Sequence, residues 1–240
     1  MSEVLFFTLA LFAEIVGTIG GFGSSVFFVP MAGFFFDFKT VLGITAIFHV
    51  FSNISKIYLF RKSVDKKILL LFGLPGIIGV IIGALLSNVI SLEFAEVFLG
   101  IFLVLFSSFL LLYEDFILPA TRKYAIGSGG VAGFIAGLIG TGGAVRGLSL
   151  AAFNLEKGTF IATSASIDFG VDFSRSLIYT MNGYFTFDKL WMIPILIMIA
   201  FTGTFIGKLI LKRVDQKSFK KIVLFLIFII GWVMIFKLFA

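Results

Sequence analysis

The chain has 240 residues, of which 60% are hydrophobic and 13% are charged, and its formal net charge is +6 at pH 7. A soluble domain carries about 25% charged residues, so this composition excludes an ordinary soluble protein. The sequence holds no cysteine and one histidine, which excludes structural disulfides and argues against a metal or other cofactor site. In a membrane protein, loop charge sets the orientation in the bilayer, so the positive balance does not indicate nucleic-acid binding.

In chain order, the sequence predicts a glycine-broken segment, three ordinary membrane spans, a second broken segment and three further spans. About 20 apolar residues cross a bilayer core of about 30 Å. The ordinary spans are residues 40–60, 68–90, 95–113, 158–180, 189–211 and 219–238. The broken segments, 4–36 and 124–153, would measure about 50 Å and about 45 Å as straight helices, too long for one crossing and short for two. These elements predict an all-α polytopic membrane protein.

The chain repeats itself at an offset of about 120 residues. The stretch Gly17–Gly23, GTIGGFG, aligns with Gly137–Gly143, GLIGTGG. The polar pattern His49, Asn53, Lys56 aligns with Asp168, Asp172, Arg175. We therefore predict two homologous halves, residues 1–120 and 121–240, in one membrane unit. Glycine-broken segments at matching places in two halves are typical of a secondary transporter whose substrate site lies between the repeats.

The distribution of lysine and arginine distinguishes two topologies. If each broken segment is one tilted span, the chain has eight spans, and the loop cations divide 8 to 7 between the two sides. If each is a re-entrant hairpin, each half keeps three spans, the second half is inverted, and the cations divide 12 to 3. The three on the poorer side are Lys39, Lys189 and Lys237. Because cytoplasmic loops carry the excess of cations, we predict inverted repeats with two hairpins and both termini outside.

The centres of the broken segments are candidate anion sites. Non-helical backbone at membrane depth must be covered by protein or face a water-filled cavity, and a helix that begins there presents free N–H groups to an anion. If the hairpin tips meet near the midplane, two such helix starts converge. The candidate binding residues at the tips are Gly20, Gly21, Gly23, Ser24, Ser25, Gly140, Thr141, Gly142 and Gly143. The alternative is that these glycines only permit close packing, as we predict for Gly79-x-x-x-Gly83 and Gly203-x-x-x-Gly207.

Charged residues inside spans are the second group of candidates, because they are costly to insert. Arg146 lies in the first turn after the second glycine cluster, where it either holds an anion or pairs with Asp168 or Asp172. Two helix faces should line the cavity, or else form a polar seam without a ligand. They carry His49, Asn53 and Lys56 on one helix and Asp168, Asp172 and Arg175 on the other. The candidates for proton coupling are His49, Asp168 and Asp172. Glu14 faces either an outer vestibule or Lys56.

Two repeats of about four hydrophobic segments, each opening with a glycine-rich turn, resemble the TauE/SafE family of sulfite exporters and related permeases. The residues that carry the resemblance are Gly20-Gly21-Phe22-Gly23 running to Pro30, and Gly140-Thr141-Gly142-Gly143 followed by Arg146. The second half departs from the family pattern with Leu150 in place of a proline. The resemblance implies a cytoplasmic-membrane protein that moves small sulfur-containing anions such as sulfite, sulfonates, sulfoacetate or thiosulfate-like species.

The interpretation is therefore a secondary transporter of a small oxyanion, working by alternating access, with the lipid bilayer and the substrate as partners and protons as the candidate coupling ion. A homodimer is left open. One alternative is a cation transporter that uses Asp168 and Asp172; a second is a membrane assembly protein without transport. An enzyme is not expected, because no Ser/His or metal-ligand constellation occurs at a useful spacing.

Overall fold

The structure is a computed structural model that describes residues 2–21, 23–60, 64–89, 92–113, 121–151, 157–213 and 215–236. Phe22 of the first glycine cluster and the loop cations Arg61, Lys62 and Lys237 lie outside these ranges. Within the described ranges, regular structure consists of ten α-helices and one short 3₁₀ turn, Phe187–Lys189. The helices are α1 Ser2–Gly20, α2 Ser25–Ala32, α3 Phe38–Phe60, α4 Lys66–Leu86, α5 Leu92–Leu112, α6 Arg122–Ile139, α7 Gly143–Ala151, α8 Lys157–Met181, α9 Met192–Leu211 and α10 Gln216–Phe236.

The helical class is confirmed, and α3, α4 and α9 are each long and apolar enough to cross a membrane. The charges of α8 explain why it is less apolar than these three: Asp168, Asp172 and Arg175 lie on it. Each broken segment consists of a longer helix followed by a short one, α1 with α2 and α6 with α7. The glycine clusters lie at the two breaks, as predicted.

Helix α2 folds back along α1 rather than continuing it. The last turn of α1 lies against the start of α2, because a Cβ on Gly17 would stand 2.5 Å from the Cα of Ser24. Near the first residues of α1, the ring of Phe6 lies 5.6 Å from that of Phe28 and 5.3 Å from that of Phe36. The end of α1 thus lies against the start of α2, and the start of α1 lies beside residues further along the chain. The two helices therefore form an antiparallel hairpin, and aromatic packing that includes the edge-to-face pair of Phe6 and Phe36 stabilises it.

Helices of residues 1–120 pack on helices of residues 121–240. Helix α4 packs on α6 as α9 packs on α1, α3 packs on α8, and α5 packs on α10. The α4–α6 pair is parallel, since Gly76 meets Gly133 and Gly83 meets Phe134 and Leu138. The predicted role of Gly79 and Gly83 in close helix packing is confirmed, because their Cβ atoms would stand 2.3 Å from the carbonyl oxygen of Gly130 and 2.2 Å from that of Phe134.

Helices α3 and α8 lie at the centre and run antiparallel. A Cβ on Gly43, near the start of α3, would lie 2.6 Å from the carbonyl oxygen of Tyr184, just beyond the end of α8. Further along, the amide of Asn53 donates to the carboxylate of Asp172 at 2.7 Å. This register places the two polar faces predicted from the sequence directly opposite each other.

Candidate substrate site

The first glycine turn needs residues without a side chain. Gly21 and Gly23 have φ angles of 70° and 81°, in the left-handed region that glycine adopts without strain. Gly17, one turn earlier on α1, leaves room for the backbone of the returning chain at Ser24. The sharp reversal places Ser24 and Ser25 at the start of α2, and both side chains are buried.

The second turn is built in a similar way. Gly140 ends α6 with a φ of 81°, and its N–H donates to the carbonyl of Ala136. A Cβ on Gly142 would stand 2.1 Å from the carbonyl oxygen of Ala132, so the chain has already turned back along α6 at that point. Helix α7 then begins at Gly143. A left-handed glycine after a helix is a common way to end it, and here it starts the return of the chain.

The two turns touch. The hydroxyl of Ser25, at the first turn, lies 3.3 Å from the hydroxyl of Thr141, at the second, and both side chains are buried. A Cβ on Gly140 would also meet the side chains of Val29 and Leu42, from the first half of the chain. The starts of α2 and α7 therefore approach one another inside the protein.

Arg146, on the first turn of α7, reaches α8. Its guanidinium forms an ion pair with the carboxylate of Asp168, and its Nε donates to the hydroxyl of Ser164 at 3.0 Å. A Cβ on Gly23 would lie 3.5 Å from Arg146 Nη2, so this nitrogen faces the first turn. Of the two aspartates predicted as its partners, Asp168 and Asp172, Arg146 contacts Asp168.

Arg175 connects α8 to the end of α6. Its Nε donates to Asp172 at 2.7 Å, and its Nη1 donates to the carbonyl of Gly140 at 2.7 Å. The last carbonyls of a helix lack partners inside that helix, and a cation stabilises this end of the helix dipole. Arg175 therefore supports the second turn directly, with a side chain that is 1% exposed.

His49 joins two parts of the network. Arg175 Nη2 lies 3.4 Å from His49 Nδ1, and the hydroxyl of Ser24 lies 3.0 Å from His49 Nε2. A guanidinium only donates hydrogen bonds, so Nδ1 accepts and Nε2 carries the proton that it donates to Ser24. The Ser24 hydroxyl in turn donates to Glu14 at 2.6 Å. A continuous line of hydrogen bonds thus runs from Arg175 to Glu14.

Glu14 is the main site residue whose environment the sequence did not reveal. Its carboxylate is fully buried and forms an ion pair with Lys56 at 2.8 Å. Four hydroxyl groups surround it, three from helices α1, α3 and α9 and one from the first glycine turn: Thr18, Ser52, Thr204 and Ser24. Spacing gave a partial signal, because Glu14 and Thr18, like Ser52 and Lys56, stand four residues apart and share a helix face. Thr204 lies 190 residues from Glu14, and no local pattern connects the two.

A small central cavity of about 20 Å³ lies among these groups. The predicted residues that line it are Gly23, Ser24, Ser25, His49, Asn53, Lys56, Gly142, Gly143, Arg146, Asp168, Asp172 and Arg175. Gly21, Gly140 and Thr141 shape or join the turns without being part of this lining, and Gly20 is the last residue of α1. The volume suits about one water molecule, so a larger ligand requires the walls to move apart.

The cavity lining is charged. Three cations line it, Lys56, Arg146 and Arg175, with two carboxylates, Asp168 and Asp172, and Lys56 also pairs with Glu14 behind the lining. Within the described residues, no group of three His, Cys, Asp or Glu side chains is arranged to hold a metal ion. Both aspartates are paired with arginines, so neither carboxylate is free to hold a cation.

Glycine-broken helices that meet at a charged, buried cavity are typical of a membrane transporter. The chain matches the family model described as sulfite exporter TauE/SafE over residues 6–234, and it belongs to that family. It is 26% identical, over 274 aligned residues, to the probable membrane transporter protein YunE of Bacillus subtilis (strain 168), an alignment that covers 99% of this chain and 98% of that protein. No solved structure gives a significant match. The protein is thus a transporter and not an enzyme, as predicted.

Proposed function

We propose that this protein carries a small sulfur-containing anion, such as sulfite, an organosulfonate, sulfoacetate or a thiosulfate-like species, across the cytoplasmic membrane by alternating access. The observation that carries the proposal is the convergence of two helix starts and three cations on one buried cavity. Several fixed N–H and guanidinium donors suit an anion with several oxygens, because each oxygen can accept its own hydrogen bond.

The helix directions support inverted repeats. The equivalent helices α3 and α8 are antiparallel, and α4 packs on α6 as α9 packs on α1. Equivalent antiparallel helices are related by an axis perpendicular to them, which lies in the membrane plane when the helices span the membrane. This geometry supports the halves 1–120 and 121–240 as inverted repeats of three spans and one hairpin. The excess of loop cations supports the proposal that both termini lie outside.

Arg146 is the main counter-charge in this proposal. It lies at the start of α7, where an anion also meets the positive end of the helix dipole. Ser25 and Thr141 would donate from the two tips, and Lys56 and Asn53 would complete the cavity wall. Arg175 would keep the second turn in place while its charge favours the anion. Because the cavity has room for about one water, the tips must separate before the substrate can enter.

The Arg146–Asp168 ion pair offers a route to proton coupling. An anion and Asp168 compete for the same guanidinium. Protonation of Asp168 removes the competing charge, so proton binding and anion binding favour each other. Asp172 is less suited to this role because Asn53 and Arg175 both donate to it. His49, held between Arg175 and Ser24, would pass a proton only if its ring changed tautomer.

A second, larger cavity of about 630 Å³ supports an outer vestibule. It lies at the starts of α1, α3 and α9 and is lined by Phe6, Phe36, Asp37, Asp188 and Trp191 among others. The predicted topology puts these helix starts on the outer side. In the same topology the opposite side of the site is closed by Lys56, Arg146 and Asp168, which also line a cavity of about 20 Å³ there.

The test is the thermal stability of the purified protein with sulfite, sulfate, thiosulfate, taurine, sulfoacetate, phosphate or chloride. A ligand stabilises in proportion to ln(1 + [L]/Kd), so a sulfur oxyanion should raise the melting temperature of the wild type. The matched variant is Arg146→Ala/Asp168→Ala, which removes the counter-charge without leaving an unpaired aspartate. It should fold and lose the response. An equal response in both proteins would overturn the proposed site.

A further inference from the structure

The surroundings of Glu14 have the composition of a site for a monovalent cation. Its carboxylate Oε1 accepts hydrogen bonds from Ser52 at 2.8 Å, Thr204 at 2.9 Å and Thr18 at 3.3 Å. Carboxylate and hydroxyl oxygens are the ligands preferred by hard cations. We call Glu14, Thr18, Ser52 and Thr204 the oxygen cage.

The ammonium group of Lys56 stands at the edge of this cage. Its Nζ lies 2.8 Å from Glu14 Oε1 and 2.5 Å from the hydroxyl of Ser52. Glu14 is fully buried, and the Lys56 side chain is 8% exposed. A buried carboxylate needs a partner of opposite charge, and here the chain itself supplies that charge.

We propose that the oxygen cage is a monovalent-cation site that the ammonium group of Lys56 permanently fills. The cage joins α1 and α3 of the first half to α9 of the second through Glu14, Ser52 and Thr204. A bound cation at this position would tie the halves together, as the lysine does. The wild-type protein should therefore be indifferent to Na⁺ and K⁺ at this site, and loss of the ammonium group should make it dependent on one of them.

A cation could reach the cage once the lysine head is gone. Lys56 lines the central cavity, and with Thr18 and Gly17 it also lines the adjacent cavity towards the start of α8. Shortening or neutralising this side chain leaves the cage open to both. Cation binding in the oxygen cage does not depend on which anion the central cavity binds, because the cage lies on the Glu14 side of Lys56.

The experiment compares four proteins in sodium, potassium and N-methylglucamine gluconate at equal ionic strength: the wild type, Lys56→Met, Lys56→Met/Glu14→Gln and Lys208→Met. Lys208 is the matched control, since its amine donates to the carbonyl of Leu59 and not to the cage. Lys56→Met should gain about 5 to 10 °C in melting temperature at a hundredfold excess of Na⁺ or K⁺ over its Kd. The other three should show no difference between the cations.

Each outcome decides the proposal. A cation-dependent rise confined to Lys56→Met supports it, and loss of the rise in the double variant assigns the site to Glu14. If Lys56→Met fails to fold in every cation while the double variant folds, no cation can replace the ammonium group and the proposal is wrong. A similar Na⁺ or K⁺ response in the wild type would also overturn it. The experiment contains no anion substrate, so its result can be interpreted even if the transport proposal is wrong.

Discussion

Two equivalent helix pairs in this protein use the same glycine spacing for different purposes. In the α4–α6 pair, Gly79 and Gly83 pack against the backbone of α6, and a Cβ on either would stand 2.3 Å or less from a carbonyl oxygen. In the α9–α1 pair, the corresponding Gly203 and Gly207 face side chains instead, and a Cβ on either would stand 2.8 Å from an atom of Glu14 or Thr18.

The residues opposite these glycines explain the difference. By the repeat, Glu14 and Thr18 of α1 correspond to Phe134 and Leu138 of α6. The apolar pair allows the two helices to approach until their backbones touch. The polar pair needs space between the helices, and the glycines of α9 provide it. One pair is a packing contact, while the other has become part of the polar network beside the substrate cavity.

The largest loss of stability is expected for Glu14, in the α9–α1 helix pair. Glu14→Ala leaves the Lys56 ammonium group buried without its carboxylate and should cost about 3 to 5 kcal/mol in unfolding free energy. Unfolding in mixed micelles of mild detergent and SDS measures this cost. Phe134→Ala, at the equivalent position of α6, removes only a half-buried ring and should cost less. If Glu14→Ala and Phe134→Ala lose the same unfolding free energy, the polar network does not distinguish the α9–α1 pair from the α4–α6 pair.

The next largest loss of stability is expected where α4 packs against α6. Gly133→Ala places a methyl group 1.9 Å from the carbonyl oxygen of Gly76, and overpacking of this kind costs about 3 kcal/mol. Gly127→Ala on the same helix is the control, because its Cβ would meet no atom within 4 Å. The control should be neutral or slightly stabilising by the same unfolding assay. A tolerated Gly133→Ala would contradict backbone contact between α4 and α6.

A direct comparison of the two pairs uses glycines at the same place in the repeat. Gly83→Ala meets a backbone oxygen at 2.2 Å, whereas Gly207→Ala meets the Cβ of Thr18 at 2.8 Å and the Ile15 oxygen at 3.0 Å. The contact at Gly207 is the less close of the two, so Gly207→Ala should cost about 1 to 2 kcal/mol and Gly83→Ala more. The reverse order would show that the α9–α1 pair is the tighter of the two.

The smallest effect is the loss of one hydroxyl from the oxygen cage. Thr204 is fully buried and donates to Glu14 at 2.9 Å. Thr204→Val keeps the shape and removes a hydrogen bond to a charged group, which should cost about 1.5 kcal/mol. Thr202→Val, at an exposed position of the same helix, should be neutral. Equal unfolding free energies for the two variants would mean that this hydroxyl does not stabilise the carboxylate.

The sequence predicted the features that depend on local pattern. Apolar length predicted α3, α4 and α9 as helices that can cross a membrane, the glycine clusters predicted where α1 and α6 end, and the repeat predicted that α3 and α8 carry matching polar faces. The choice of partners was harder to predict. Whether Arg146 meets Asp168 or an anion depends on how far α7 lies from α8, and the sequence does not encode that distance in any local pattern.

The oxygen cage shows the same limit more clearly. Glu14 is visible as a charge within an apolar segment, and a pair with Lys56 is one of its two predicted environments, the other being an outer vestibule. The hydroxyls of Ser52 and Thr204 were not assigned, because Ser and Thr are common in membrane helices and either can bond to its own backbone. They share a partner only because α3 and α9 both approach α1, and Gly203 and Gly207 make the approach of α9 possible.

The flux of radiolabelled sulfite into proteoliposomes tests the position of the substrate site. We compare the wild type with Arg146→Ala/Asp168→Ala, which removes the central ion pair, and with Thr202→Val, at an exposed position of α9. We expect the first variant to fold and lose flux, while the second transports like the wild type. Wild-type flux in Arg146→Ala/Asp168→Ala would contradict a substrate site at the hairpin tips.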